Sequence, residues 1–176
     1  LFGYGSFDIL SVKNSAKALF YFALGLPAFS LIKIFSSFLF ARHNTKTPFL
    51  IALFSVILNI FISVYFFNKI GFIIVPIATS ISSWFNALIL LVVLINKKYF
   101  SLNKNFLVQF FKIIISTALS SYIFYNLVNF FNENLSYESG NKLITMILLV
   151  IISLIIYVMI SIFTKTFKIS DIKLKY

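Results

Sequence analysis

Cysteine is absent from the 176 residues, so neither disulfides nor thiolate metal sites are available to this chain. Carboxylates are nearly as scarce, with four Asp and Glu against fifteen Lys and Arg and a single histidine, His43. A hydrolase or transferase gathers acids, bases and a nucleophile at one place, and four scattered acids with one histidine do not supply such a set. No catalytic residue, no metal site and no cofactor is therefore expected. His43 as a metal ligand lacks partners in the neighbouring sequence and reads as a solvated loop residue. Glycine (5) and proline (3) are rare, and charged residues make up 11% of the chain against roughly 25% in an ordinary soluble domain.

What fills the chain instead is apolar. Hydrophobic residues account for 61% and the mean hydropathy is +1.03. Several apolar runs are each long enough to cross a ~30 Å hydrocarbon core, which takes about 20 helical residues. The expected fold class is all-α, a polytopic membrane bundle of about five transmembrane helices. The net charge of +11 sits at the ends of apolar runs and not along a polar face, so it reads as membrane-flanking charge, and no nucleic acid is expected as a partner.

In chain order, residues 1–15 mix Gly3, Gly5, Ser6, Asp8 and Asn14 with aromatics and read as an interfacial segment. A first span is expected over 16–41, kinked at Pro27 because proline removes a backbone donor. A polar knot, Phe40-Ala41-Arg42-His43-Asn44-Thr45-Lys46-Thr47-Pro48, separates it from a second span over 49–67. Pro48 suits a first helical turn, with Thr45 or Thr47 as cap. A tight turn, Asn68-Lys69-Ile70-Gly71, leads to a third span over 72–95. Its small and hydroxylated residues Ala78, Thr79, Ser80, Ser82 and Ser83 suit close helix contact in lipid. Residues 16–98 thus form one group of three helices. A basic loop at 96–105 precedes a fourth span over 106–131, an acidic loop follows over 132–141, and a fifth span covers 142–164. The last two spans make a second group over 99–164, and 165–176 is a basic tail. The chain opens on Leu1 and reads as a piece of a longer protein.

Five spans place the two ends on opposite sides, so orientation follows from charge. One side collects nine basic residues, Arg42, Lys46, Lys97, Lys98, Lys104, Lys165, Lys168, Lys173 and Lys175; the other collects four, with Asp8, Glu133 and Glu138. The knot, the Lys97 loop and the C-terminal tail are therefore expected in the cytoplasm.

Among individual residues, Lys33 lies inside a span, where an ammonium group faces a cavity or snorkels to the nearer interface. Arg42 and Lys46 stand at a helix junction, either holding an anionic phosphate, Arg42 through a bidentate fork, or anchoring topology. Arg42, Lys33 and Lys46 are the candidate substrate-binding residues. Asn59 and Asn86, polar in mid-span, are candidates for interhelical hydrogen bonds.

The knot resembles the aromatic-Ala/Ser-Arg-x-Asp/Asn-Thr/Ile-Lys/Arg-Thr-Pro element of the MurJ/MviN family of lipid II flippases. Leu1-Phe2-Gly3-Tyr4-Gly5-Ser6-Phe7 with Ala16-Lys17-Ala18-Leu19 resembles an upstream element of that family. Asn59, then Gly71 with Ala78-Thr79-Ser80 and Asn86, resembles a downstream one. The usual Gly-Leu-Ala is replaced by Gly71-Phe72-Ile73-Ile74-Val75-Pro76. The resemblance implies the exporter superfamily of two six-helix lobes, and that these spans correspond to the tenth to fourteenth helices of a fourteen-helix flippase. It implies a multi-pass protein of the bacterial inner membrane that moves an undecaprenyl-pyrophosphate sugar by alternating access, with membrane lipid and the remaining N-terminal helices as partners. The last two helices would then border a groove for the lipid tail. Exporters of another lipid-linked oligosaccharide or a drug, and a non-transporting membrane scaffold, are the competing readings.

Overall fold

The computed structural model describes residues 8–101, 103–135 and 142–166. Five α-helices account for most of them: α1 (Ile9–Phe40), α2 (Lys46–Ile70), α3 (Ile74–Asn96), α4 (Lys104–Phe130) and α5 (Lys142–Phe163), with a 3-10 turn at Gly71–Ile73 between α2 and α3. Among the described residues, four helical stretches are long and apolar enough to cross a bilayer, and one of them, Lys46–Asn96, contains α2, the 3-10 turn and α3. That stretch folds back on itself at Gly71, so the all-helical reading and the five passes stand together. Large apolar side chains such as Phe49, Phe61, Val64, Leu154 and Met159 are exposed, as suits helices solvated by lipid.

The chain divides between residues 101 and 102 into two units. In the first, α3 packs against both α1 and α2. Helix α1 begins at Ile9, inside the segment expected to precede the first span, because Asp8 caps it: Ser11 N donates to Asp8 Oδ1 at 2.8 Å. At about 1.5 Å per residue a helix of this length outruns a ~30 Å hydrocarbon core by several turns. The helix runs through Pro27 without a break. Residues 1–7 of the expected interfacial segment and 167–176 of the expected tail lie outside the described residues.

The knot resolves into a five-residue connector. Its cap is neither Thr45 nor Thr47: Asn44 Oδ1 accepts from Thr47 N at 3.2 Å, and Thr45 makes no side-chain capping bond. Amide oxygens satisfy the free donors of a first turn well. Pro48 and Pro76 each occupy the third position of their helix, where a missing N–H breaks no helical bond. Gly71 closes α2 at φ 73, ψ −158, a conformation in which a Cβ is strained.

Helices α1 and α3 stop in the same way. His43 and Lys98 sit at φ 56 and 57; Asn44 N donates to Leu39 O at 3.0 Å and Tyr99 N to Leu94 O at 2.9 Å. These are Schellman closures made without glycine. Beneath them Leu39, Ile51, Leu90 and Leu94 form a buried apolar cluster, with Phe35, Tyr99 and Phe100 packed against it.

The second unit pairs α4 with α5. Helix α5 ends in a third such closure, with Lys165 at φ 55 and Thr166 N donating to Ser161 O at 3.0 Å. Its end is tied to α4 by polar side chains. Fully buried Ser116 pairs with Thr164 Oγ1 at 3.0 Å, and Gln109 Nε2 donates to Thr166 O at 2.6 Å.

Candidate functional site

In the three-helix unit, polar residues recur on α2 at Ser55 and Asn59 and on α3 at Thr79, Ser82, Ser83 and Asn86. Spacings of three and four place each set on one helix face, and the two faces meet. Asn59 Nδ2 donates to Thr79 Oγ1 at 3.1 Å and to Ser82 Oγ at 3.2 Å. The six residues line a cleft of about 460 Å³ together with Ala52 and Val56 of α2 and Phe29 and Ile32 of α1.

The hydroxyls of this seam also bond their own helices. Ser55 donates to Ile51 O at 2.8 Å, Thr79 to Val75 O at 2.8 Å and Ser83 to Thr79 O at 2.6 Å. Such back-bonding satisfies a hydroxyl without a partner from another helix. Asn86 is the exception: it is 8% exposed and its Oδ1 has no hydrogen-bond partner among the described residues. The seam is neutral, so it offers hydrogen bonds and no proton-transfer group.

The contact of α1 with α3 has a different basis. Gly25 lets the backbones close up: a Cβ there would lie 2.9 Å from Ser80 Oγ and 3.3 Å from Ser80 Cα. Around it Ser80 Oγ donates to Tyr21 O, and Trp84 Nε1 donates to Leu24 O at 3.0 Å. Small residues and side chain to carbonyl bonds are what hold helices together in lipid, where the hydrophobic effect gives little.

The charged candidates lie elsewhere. Lys33 is exposed; it does not line the polar cleft but borders a shallow depression on α1 with Ile34, Ser37, Phe38 and Ala41. Arg42 lies over the Tyr99 ring, its Cζ 4.2 Å from the ring centroid, and its Nη1 reaches Phe38 O at 3.4 Å. Lys46 is the first residue of α2 and exposed. None of the three has an acidic partner among the described residues, and the structure does not gather them into one cluster.

A family profile described as Lipid II flippase MurJ matches residues 1–144. The chain belongs to the MurJ family. Individual MurJ relatives agree. A probable lipid II flippase MurJ of Rickettsia prowazekii is 40% identical over 82 residues, covering 47% of this chain and 16% of that protein. A namesake from Rhizobium meliloti is 30% identical over 125 residues, 71% of this chain and 23% of that protein. One from Thermotoga maritima is 39% identical over 82 residues, 47% of this chain and 17% of that protein. The chain therefore spans about a sixth to a quarter of the length of these MurJ relatives.

Three elements of this part of the MurJ fold were not legible in the sequence: the Tyr99 ring under Arg42, the bonds from Ser80 and Trp84 to α1 carbonyls, and the hydrogen bonds that tie the end of α5 to Ser116 and Gln109 of α4. Backbone carbonyls and aromatic rings carry no pattern that names their partner. The Thr164-x-Thr166 pair after an apolar run was the one available hint.

Proposed function

We propose that the complete protein containing this chain is a lipid II flippase of the bacterial inner membrane, carrying lipid-linked peptidoglycan precursor from the cytoplasmic to the outer leaflet by alternating access. The observation that carries this reading is the family match over residues 1–144. The physics agrees with it, since a pyrophosphate-sugar head cannot shed its hydration in hydrocarbon unless polar and basic groups replace it. This chain contributes helices ten to fourteen. The polar seam of α2 and α3 supports a lobe that moves as a body, and α4 with α5 borders the groove for the undecaprenyl tail. The connector at 41–45, the Lys97 loop and the C-terminal tail face the cytoplasm, by the excess of Lys and Arg on that side. Arg42, Lys33 and Lys46 are the basic groups of this chain that meet the anionic head or flank it.

Depleting the complete protein and measuring lipid II in each leaflet tests the function; accumulation in the inner leaflet is expected, and unchanged distribution refutes it. Alkaline phosphatase fusions test the orientation. Activity is expected at Glu138 and not at Lys98, and the reverse pattern overturns it.

A further inference from the structure

Arg42 is not a loose charge on a loop. Its guanidinium lies 4.2 Å over the Tyr99 ring, and both residues are set by rigid backbone. Arg42 immediately precedes His43, whose left-handed turn closes α1, and Tyr99 immediately follows Lys98, whose left-handed turn closes α3. The leucines that accept those closing bonds, Leu39 and Leu94, are 0% and 1% exposed, and Tyr99 packs on the cluster they form. The ring is therefore held from below and the guanidinium rests on it from above.

A guanidinium carries five N–H donors and no acceptor. One of them is spent, at 3.4 Å, on Phe38 O; the other four have no partner among the described residues. No carboxylate stands nearby in sequence, since between residues 9 and 101 the chain has no Asp or Glu at all. His43, Lys97 and Lys98 share the same two helix ends, Lys46 opens α2 four residues after Arg42, and all four are exposed. A cation seated over an aromatic ring with four of its five N–H donors unpartnered among the described residues is arranged to take a bidentate oxyanion.

We propose that Tyr99 is a positioning residue that presents Arg42 to a lipid-borne phosphate-class anion, either the pyrophosphate of a polyprenyl carrier or a phospholipid headgroup. The ring fixes the plane of the guanidinium, so the side chain does not have to surrender rotamer freedom when the anion arrives. The proposal rests on the reading of Arg42 as an anion contact, and the test separates the two.

The complete protein is placed in phosphatidylcholine nanodiscs and titrated with undecaprenyl pyrophosphate in one arm and with phosphatidylglycerol in the other. Tyr99→Leu is expected to weaken binding by about two- to fivefold, the worth of an exposed cation–π contact, while Tyr99→Phe binds as the parent does. Arg42→Ala is expected to weaken it further, and adding Tyr99→Leu to Arg42→Ala should cost nothing more. Loss in the pyrophosphate arm alone assigns the site to the carrier, and loss in the phosphatidylglycerol arm alone assigns it to the membrane surface.

Weakened binding in Arg42→Ala with parental binding in Tyr99→Leu overturns the role of Tyr99 and leaves Arg42 as an anion contact. Parental binding of both anions by Arg42→Ala overturns both. Because Tyr99→Leu also removes packing, a fluorinated phenylalanine series at position 99 provides a shape-conserving measure. Affinity should fall stepwise as fluorine drains the ring face of electron density, and a flat series refutes the cation–π role whatever the leucine variant does.

Discussion

Adding one methyl group at Gly25 should separate α1 from α3. The new Cβ would stand 2.9 Å from Ser80 Oγ, closer than real Cβ contacts run, and 3.3 Å from Ser80 Cα, tighter than most of them. Ser80 Oγ cannot simply rotate away without giving up its bond to Tyr21 O, and the Cα cannot move without carrying α3 with it. Overpacking of this kind costs about 1–3 kcal/mol. Loosening the Ser80 and Trp84 bonds adds ~0.6 kcal/mol each, the average for hydrogen bonds between membrane helices. Alanine returns roughly 1 kcal/mol through helix propensity. The net expectation is a loss of about 1–3 kcal/mol, read as a lower midpoint of thermal unfolding in detergent or nanodiscs. Ser80→Ala removes the nearer of the two atoms, so in the double variant Gly25→Ala should cost less than it does alone. A Gly25→Ala protein as stable as the parent, or a double variant whose losses simply add, would refute the close approach as the basis of the α1–α3 contact.

Asn59→Leu should cost only about 1 kcal/mol in the same unfolding assay, two bonds at ~0.6 kcal/mol each. Its partners on α3 keep a bond within their own helix, Thr79 to Val75 O and Ser82 to Thr79 O, and only the long 3.5 Å bond that Ser63 Oγ donates to Asn59 Oδ1 is lost within α2; a loss above ~3 kcal/mol would show that an orphaned buried group had been created. His43→Gly should stabilise the end of α1 by about 0.5–1 kcal/mol, because glycine pays no Cβ penalty at φ 56, and a lower midpoint would contradict the left-handed closure. Asp8 gives a pH dependence. The side-chain hydrogen bond with Ser11, then the bond from its backbone N–H, holds this carboxyl below its ordinary 3.8. A depressed carboxyl stabilises the fold above its unfolded value and loses that contribution as pH falls through the folded one. Hydrogen exchange at the first turn of α1 should therefore show protection that is flat at neutral pH and declines only below about pH 4. Asp8→Asn keeps a capping oxygen without the titration and should abolish the decline; the same decline in that variant would sink the assignment.

Helix count and type were legible because a bilayer imposes a length and forbids unpaired backbone. An apolar run bounded by lysines has few other conformations open to it. The hairpin between α2 and α3 was legible at Gly71 for a related reason, since glycine between two apolar runs marks a tight reversal, and the φ 73, ψ −158 it adopts is a region open to almost no other residue. Helix ends were read less well. Asn44, Thr45 and Thr47 are all acceptable caps by composition, and which oxygen meets a free N–H depends on how the connector leaves α1. Helix α1 started seven residues before its expected position, because Asp8 cap chemistry outweighed the mixed composition of the segment that follows it.

The candidate site divides along the same line. Sequence alone determined that this chain is a helical membrane protein with a basic end, that Arg42 and Lys46 stand at a helix junction, and that Asn59 and Asn86 are polar in mid-span. These are local properties, set by residue type and spacing along one strand of chain. Tertiary structure decided that Asn59 bonds to α3 while Asn86 Oδ1 finds no partner among the described residues, that α1 and α3 approach closely at Gly25, and that Arg42 lies on Tyr99, fifty-seven residues further along. Each of these depends on two helices meeting at one rotation and one height. In lipid that register comes from small residues, carbonyls and rings that lend no periodicity to the sequence, so only the packed helices reveal it.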